Sequence, residues 1–112
     1  MGVSEAQRLI CEKYHSQVVG TDMNLKVGIS KEALVGKFPF HGLRHLPTAD
    51  TTGWYFWSRE FSDAEDFFLP MHAAHLENSH PWLLKYLALS PGCRILLAQN
   101  YEDVWFDASI VW

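Results

Sequence analysis

The sequence predicts an α+β fold: a small, mostly antiparallel sheet of four or five strands packed with three or four helices. Three observations carry that expectation. Ser4 and Gln7 form a capping box ahead of a helical run, and Trp54-Tyr55-Phe56-Trp57-Ser58 has the composition of a strand. Two further strand-like runs near the C-terminus are joined by a connection that suits antiparallel pairing. The 112 residues match the size of one independently folding unit, so a single domain over 1–112 is expected.

The elements follow in chain order. Ala6, Leu9, Ile10, Tyr14 and Val18 recur at helical spacing behind Ser4, and Gly20 should end that helix near Val18. Met23 to Ile29 alternates apolar and polar residues, the mark of a half-buried strand. Ser30 caps a short helix over Lys31 to Val35, stopped by Gly36. Phe38 to Pro47 reads as irregular, with one short strand at Lys37–His41, and leads to a turn over Thr48–Gly53. The aromatic run that follows has rings on both faces, as in a central strand covered on both sides. Ser62 and Glu65 give a second capping box, whose helix Pro70 interrupts; His72 to Asn78 is a helical turn or a loop. Pro81 opens another helix with an apolar face at Trp82, Leu83, Tyr86, Leu87 and Leu89, ended by Pro91-Gly92. Arg94 to Gln99 and Asp103 to Asp107 form a hairpin whose loop is Asn100-Tyr101-Glu102.

Composition narrows the function. Hydrophobic residues make up 48%, enough apolar material to oppose the entropy of ordering the chain, which argues against disorder. No run approaches a bilayer span and Met1 to Leu9 is too polar for a secretory signal, so the expected location is the cytoplasm, with no membrane partner. Met1-Gly2 begins a myristoylation motif, but Ala6 stands where Ser or Thr is needed. Cys11 and Cys93 form no close motif and read as small buried hydrophobes. A net charge of −4 argues against nucleic acid as a partner. The charge is also uneven. Residues 1–59 carry seven Lys/Arg and five acids, whereas residues 60–112 carry eight acids against Lys85 and Arg94.

The residue types for catalysis are present without the patterns that make them work. His41 and His45 are four apart and His72 and His75 three apart, spacings that place two imidazoles on one helix face. Gly42, Pro39 and Pro47 spoil the first pair, and no H-E-x-x-H or C-x-x-C accompanies either. No metal or cofactor is expected. Ser58 or Ser90 could be joined on paper to a histidine and an acid, but no G-x-S-x-G elbow is present. Glu102 and Asp103 could act as acid and base if one were desolvated, whereas a hairpin loop would leave them solvated. The glycines are too scattered for a phosphate loop. The expectation is therefore no enzyme and no catalytic residues. The alternative is a small metal- or ligand-binding enzyme using the histidines.

Aromatic richness points elsewhere. Trp54 to Trp57, Phe67 and Phe68, and Tyr101, Trp105, Phe106 and Trp112 exceed what one small core readily buries, and Trp and Tyr are favoured at protein interfaces. The acid and aromatic character of residues 54–70 and 101–112 fits a protein-binding face better than a cleft. An apolar C-terminus at Ile110-Val111-Trp112 could support a homodimer.

Gly53-Trp54-Tyr55-Phe56-Trp57-Ser58-Arg59-Glu60, Phe68-Leu69-Pro70-Met71-His72 with His75-Leu76, and Pro91-Gly92-Cys93-Arg94-Ile95-Leu96-Leu97 closed by Tyr101-Glu102-Asp103-Val104-Trp105-Phe106-Asp107 carry a resemblance. Over roughly residues 50–110 the chain resembles the bacterial immunity-protein domain of the Imm thirty-three type, most specifically in the G-W-x-F strand and the terminal Y-E-D-V-W-[FY]-D. That family often has a longer acidic segment after the G-W-x-F strand. The resemblance implies an antidote that binds and neutralises a cognate secreted bacterial toxin, and it brings no catalytic residues. On that expectation Glu60, Asp63, Asp66, Glu102 and Asp103 steer a basic toxin surface, while Trp57, Phe68, Tyr101 and Trp105 are the anchors buried on binding.

Overall fold

A computed structural model describes residues 2–111. Met1 of the Met1-Gly2 motif and Trp112 of the apolar C-terminus lie outside the described residues. The chain runs α1 (Glu5–Lys13), β1 (Lys26–Ile29), α2 (Lys31–Leu34), β2 (Phe40–Arg44), β3 (Thr51–Ser58), β4 (Leu69–His72), α3 (Leu76–Ser79), β5 (Cys93–Ala98) and β6 (Tyr101–Phe106). Short 3-10 segments precede α3 (Ala73–His75), follow it (Pro81–Tyr86) and close the chain (Ala108–Ile110). The strands form one sheet of six, one more than the sequence suggested, in the order β4-β1-β3-β2-β5-β6. β1 with β3 is parallel and the other pairings are antiparallel.

Local chemistry explains most boundaries. Both halves of the capping box at Ser4 are made, the Ser4 hydroxyl accepting from Gln7 N and the Gln7 side chain accepting from Ser4 N. α1 stops at Lys13 rather than near Val18. His15 takes a left-handed φ of 57°, and the amides of His15 and Ser16 return to the carbonyls of Glu12 and Cys11 at 3.2 and 2.8 Å, the double bond of a Schellman ending. Val19 N is then drawn onto Ala88 O at 2.8 Å, so the segment expected to continue the helix is tied to the end of the 81–86 turn instead. Ser30 caps α2 and Gly36 ends it at a φ of 79°.

Other elements also differ from expectation, among them the helix expected from Pro81 to Pro91-Gly92, which is a 3-10 segment over Pro81–Tyr86. β1 begins at Lys26, three residues after the alternation starts, because Met23 to Leu25 form a turn. β2 lies at Phe40–Arg44 rather than Lys37–His41. No helix follows Ser62: its hydroxyl accepts from Ala64 N at 3.2 Å, a local turn rather than a cap. Pro70 sits inside β4 opposite Gly28, and β4 is an edge strand, where a missing N–H costs no ladder bond. In the C-terminal hairpin Asn100 adopts a φ of 60°, so Gln99-Asn100 suffices as the loop and Tyr101 and Glu102 belong to β6.

The helices cover one face of the sheet. Phe40, Trp54, Phe56, Ile95, Leu97 and Val104 point into that layer and are buried with Ile10, Cys11, Leu83, Tyr86 and Leu87. Arg44 also lies there, 1% exposed. Its guanidinium donates to the carbonyls of Val19 and Leu89 at 2.7 and 2.8 Å, of Thr52 and Gly20 at 3.1 and 3.2 Å, and of Leu87 at 3.4 Å. Burial lowers its pKa to about 10, which leaves it charged at neutral pH.

Candidate functional site

Side chains alternate across a strand, so the cross-strand register fixes which residues share the opposite, helix-free face. Trp57 pairs with His41, His41 with Leu96 and Leu96 with Asp103; Tyr55 pairs with Leu43, Leu43 with Arg94 and Arg94 with Trp105. Tyr101, opposite Ala98, extends the face at the far edge. Two rows of side chains thus run across β3, β2, β5 and β6 with no helix above them.

The strap of residues 59–68 between β3 and β4 covers part of this face. Phe61 meets Trp57 edge-on with ring centroids 5.5 Å apart, and Phe68 meets Tyr55 at 5.2 Å and Phe67 at 4.9 Å. His41 stacks on the other side of the Trp57 ring, 5.1 Å away with planes 10° apart. Trp57 is consequently only 6% exposed. Burial also pulls the His41 pKa below its usual value. At one corner the closing 3-10 segment also lies on this face, with Ile110 buried and its carbonyl 2.8 Å from His45 Nδ1; the remainder is open. Leu43, Leu96 and Asp103 are half-buried, while Trp105 is 41% and Tyr101 52% exposed. Arg94 bridges Asp107 at 3.1 Å and lies 6.0 Å from the Trp105 ring centre, holding that indole against β5.

The residues singled out in the sequence therefore separate by position. Trp57, Phe68, Tyr101, Asp103 and Trp105 are brought onto the helix-free side, and Glu60, Asp63 and Asp66 lie exposed on the strap beside it. Glu102 points the other way, toward the helices. Its carboxylate accepts from Tyr14 Oη at 2.5 Å, from Tyr86 Oη and from Lys13 Nζ at 2.8 Å. Burial of the carboxyl opposes its ionisation, but these three donors outweigh it and hold the pKa at about 2. Burial raises the pKa of Tyr86, and the same pairing with Glu102 adds to it. Glu102 is a clasp between β6 and the helix layer, not the solvated loop residue expected. Sequence reasoning missed Leu43, Leu96 and Arg94, although the alternation His41/Leu43 and Arg94/Leu96 carried the signal.

The histidines are dispersed. His41 stacks as described, and His45 Nδ1 is 2.8 Å from Ile110 O. His72 and His75 are exposed with ring centroids 6.4 Å apart. Among the described residues no group of three or more His, Cys, Asp or Glu could hold a metal ion. Ser58 donates to Lys37 O at 2.6 Å, and Ser90 lies beside the Cys93 sulfur. Cys11 and Cys93 are free and buried, and burial raises the Cys11 pKa. No helix among the described residues is long and apolar enough to cross a membrane.

The family model of the Imm33-like domain matches residues 6–107, nearly the whole chain. The chain belongs to the Imm33-like domain family. The match takes in every strand of the sheet and the strap, so the open face is built entirely within the family's limits. Comparisons with curated proteins and with solved structures returned no match.

Proposed function

We propose that this Imm33-like chain acts as one domain, a cytoplasmic immunity protein that binds a cognate secreted bacterial toxin and neutralises it by occluding its active or functional surface. One observation supports this reading above the others: a family member named for immunity leaves part of the sheet face opposite its helices uncovered, and that part carries exposed Trp105 and Tyr101 on the same face as a strap rich in acids. Exposed apolar surface of this kind is costly to keep in water unless a partner covers it. Trp and Tyr supply much of the energy at such contacts, and charges at the rim speed association more than they hold the complex. Asp103 and the strap acids would steer the encounter, with Trp105, Tyr101, Phe68 and the Trp57–His41 stack beneath the docked surface.

The test is genetic. The gene is deleted alone and together with the adjacent reading frame, and survivors are counted in contact with sibling cells. Loss of the single deletion, rescued in the double deletion or among non-secreting siblings, is the expected result and makes the neighbour the toxin. Normal growth of the single deletion while the neighbour is expressed would remove the immunity reading.

A further inference from the structure

The helix-free face is not flat. Between the strap and the β2–β3 turn it sinks into an open groove of about 490 Å³, within the roughly 300–1,000 Å³ of sites that enclose a compact ligand. Leu43 and Tyr55 form its floor, Phe61 and Phe68 one wall, and Leu46 and Thr48 the other.

Two glycines keep it hollow. Gly53 lies within β3 at a φ of 89°, and a Cβ there would fall 2.0 Å from the carbonyl oxygen of His45, so this position on the face can carry no side chain. At Gly28 a Cβ would fall 2.5 Å from the Tyr55 ring. The ring lies over Gly28 on β1, in space that a Cβ there would take. The space is therefore set by backbone chemistry and not by loose packing.

Charge indicates what the groove receives. Between Arg44 and Lys85 the sole Lys or Arg is Arg59, and it is already bridged to Glu32 at 3.3 Å. The same stretch contributes Asp50, Glu60, Asp63, Glu65, Asp66 and Glu77, none bridged to a cation among the described residues. Asp66 shares a depression with Lys31 and Phe67 on the α2 side of the strap, Asp50 shares one with Lys26 beside β1, and Glu77 sits on α3; Glu60, Asp63 and Glu65 are exposed on the strap whose Phe61 and Phe68 wall the groove. An apolar hollow walled on one side by a strap of uncompensated acids complements a projecting ring with basic neighbours.

We propose that this groove is the seat of one aromatic side chain of the toxin, flanked in the toxin by lysine or arginine. The proposal rests on the immunity reading for its source and on the groove alone for its chemistry, so the two can fail separately.

The test is a titration of the isotopically labelled full chain with the capped tripeptide Lys-Trp-Lys, with capped Glu-Trp-Glu and Lys-Ala-Lys as comparisons, followed through the backbone amide shifts. Lys-Trp-Lys should move the amides of Leu43, Leu46, Tyr55 and Phe68 and leave Glu77 still. Glu-Trp-Glu should bind about fivefold more weakly, the size of one or two exposed ion pairs, and Lys-Ala-Lys should not saturate. Leu46→Trp, at an exposed position, should fill the groove and abolish the shifts while the spectrum stays dispersed. Equal binding of the acidic and basic peptides, or shifts that miss the groove, would overturn the proposal. A chain that protects cells but ignores the peptide removes the groove alone, and one that binds the peptide without protecting removes the toxin as the source of the ring.

Discussion

The guanidinium carbon of Arg44 lies 5.6 Å from the centre of the Trp54 ring, and the fold turns on that pair. Trp54 Nε1 points to Thr21 and to Leu87 O at 3.2 and 3.3 Å, while all three nitrogens of the Arg44 guanidinium donate to carbonyls from the 19–20 loop, β3 and the 87–89 segment. Among the described residues no carboxylate accepts from the guanidinium. The charge is met by carbonyl dipoles, and four of those five carbonyls belong to the irregular 19–20 and 87–89 segments, outside the sheet's ladders.

Arg44→Ala should therefore destabilise the chain by about 4 kcal/mol, since it opens a cavity and leaves several buried carbonyls unpaired at once. Arg44→Lys keeps the charge but cannot fan five donors in a plane, so a loss of about 2 kcal/mol is expected. Urea unfolding midpoints measure both. Equal losses for the two variants would mean that the charge, not the fork geometry, is what matters.

Gly53 and Gly36 separate backbone strain from collision. Both have left-handed φ values, 89° and 79°, but a Cβ at Gly36 meets nothing within 4 Å, whereas one at Gly53 meets the His45 carbonyl at 2.0 Å. Gly36→Ala should cost about 1 kcal/mol, the strain alone. Gly53→Ala should cost about 3 kcal/mol or more, because the β2–β3 ladder must shift as well. Thermal melting of the two variants gives the difference directly.

The Glu102 clasp predicts the acid limb of stability. Its pKa is depressed in the folded chain, so its contribution is complete above the unfolded carboxylate value near 4.5 and is lost as pH falls toward about 2. The magnitude is on the order of 2–3 kcal/mol. Glu102→Gln should be less stable at pH 7 and show a flatter decline between pH 4.5 and 2 than the parent. Denaturation midpoints across that window, with parallel curves for the two proteins, would assign the acid limb to other groups.

How much of this was legible depends on whether the deciding interaction is local. Ser4, Ser30 and Gly36 act within one turn of chain, and β3 shows its own aromatic pattern, so these elements could be read directly. Ser62 and Glu65 offered an equally good local signal and were overruled: Phe61 and Phe68 pack on Tyr55 and Trp57, with Phe67 against both of them, and gain more than a short helix would return. Pro70 looked like a helix breaker and proved to be an edge-strand residue, a distinction visible only once β1 lies beside it. The parallel pairing of β1 with β3 involves residues more than twenty apart and leaves no sequence mark. For the binding face, the residue types were readable and the sides were not. A one-residue difference in hairpin loop length decides whether Glu102 faces solvent or Tyr14.

Trp57 and Trp105 should respond oppositely to truncation. Trp57 is enclosed by His41, Phe61 and Phe68, so Trp57→Ala should lower folding stability by about 3 kcal/mol. Trp105 stands 41% exposed; Trp105→Ala should leave stability within about 1 kcal/mol and weaken toxin binding by about 2 kcal/mol. Calorimetry of binding beside urea titration separates the two effects. Unchanged affinity in a folded Trp105→Ala chain would move the docking surface off β6.

The acids divide in the same way, into those that are spent and those that are free to steer. Glu102 already satisfies Tyr14, Tyr86 and Lys13, whereas Glu60, Asp63 and Asp66 are exposed and bridged to no cation among the described residues. Steering works through free charge at a distance and is screened beyond about 8 Å at physiological salt. Neutralising the strap with Glu60→Gln, Asp63→Asn and Asp66→Asn together should slow association with the toxin about tenfold at low ionic strength and change dissociation little. Glu102→Gln should lower stability and leave the association rate unaltered. Stopped-flow association measured from low to high salt checks both: the parent rate should fall with salt and converge on that of the strap variant. A parent rate that ignores salt would place the strap acids outside the encounter.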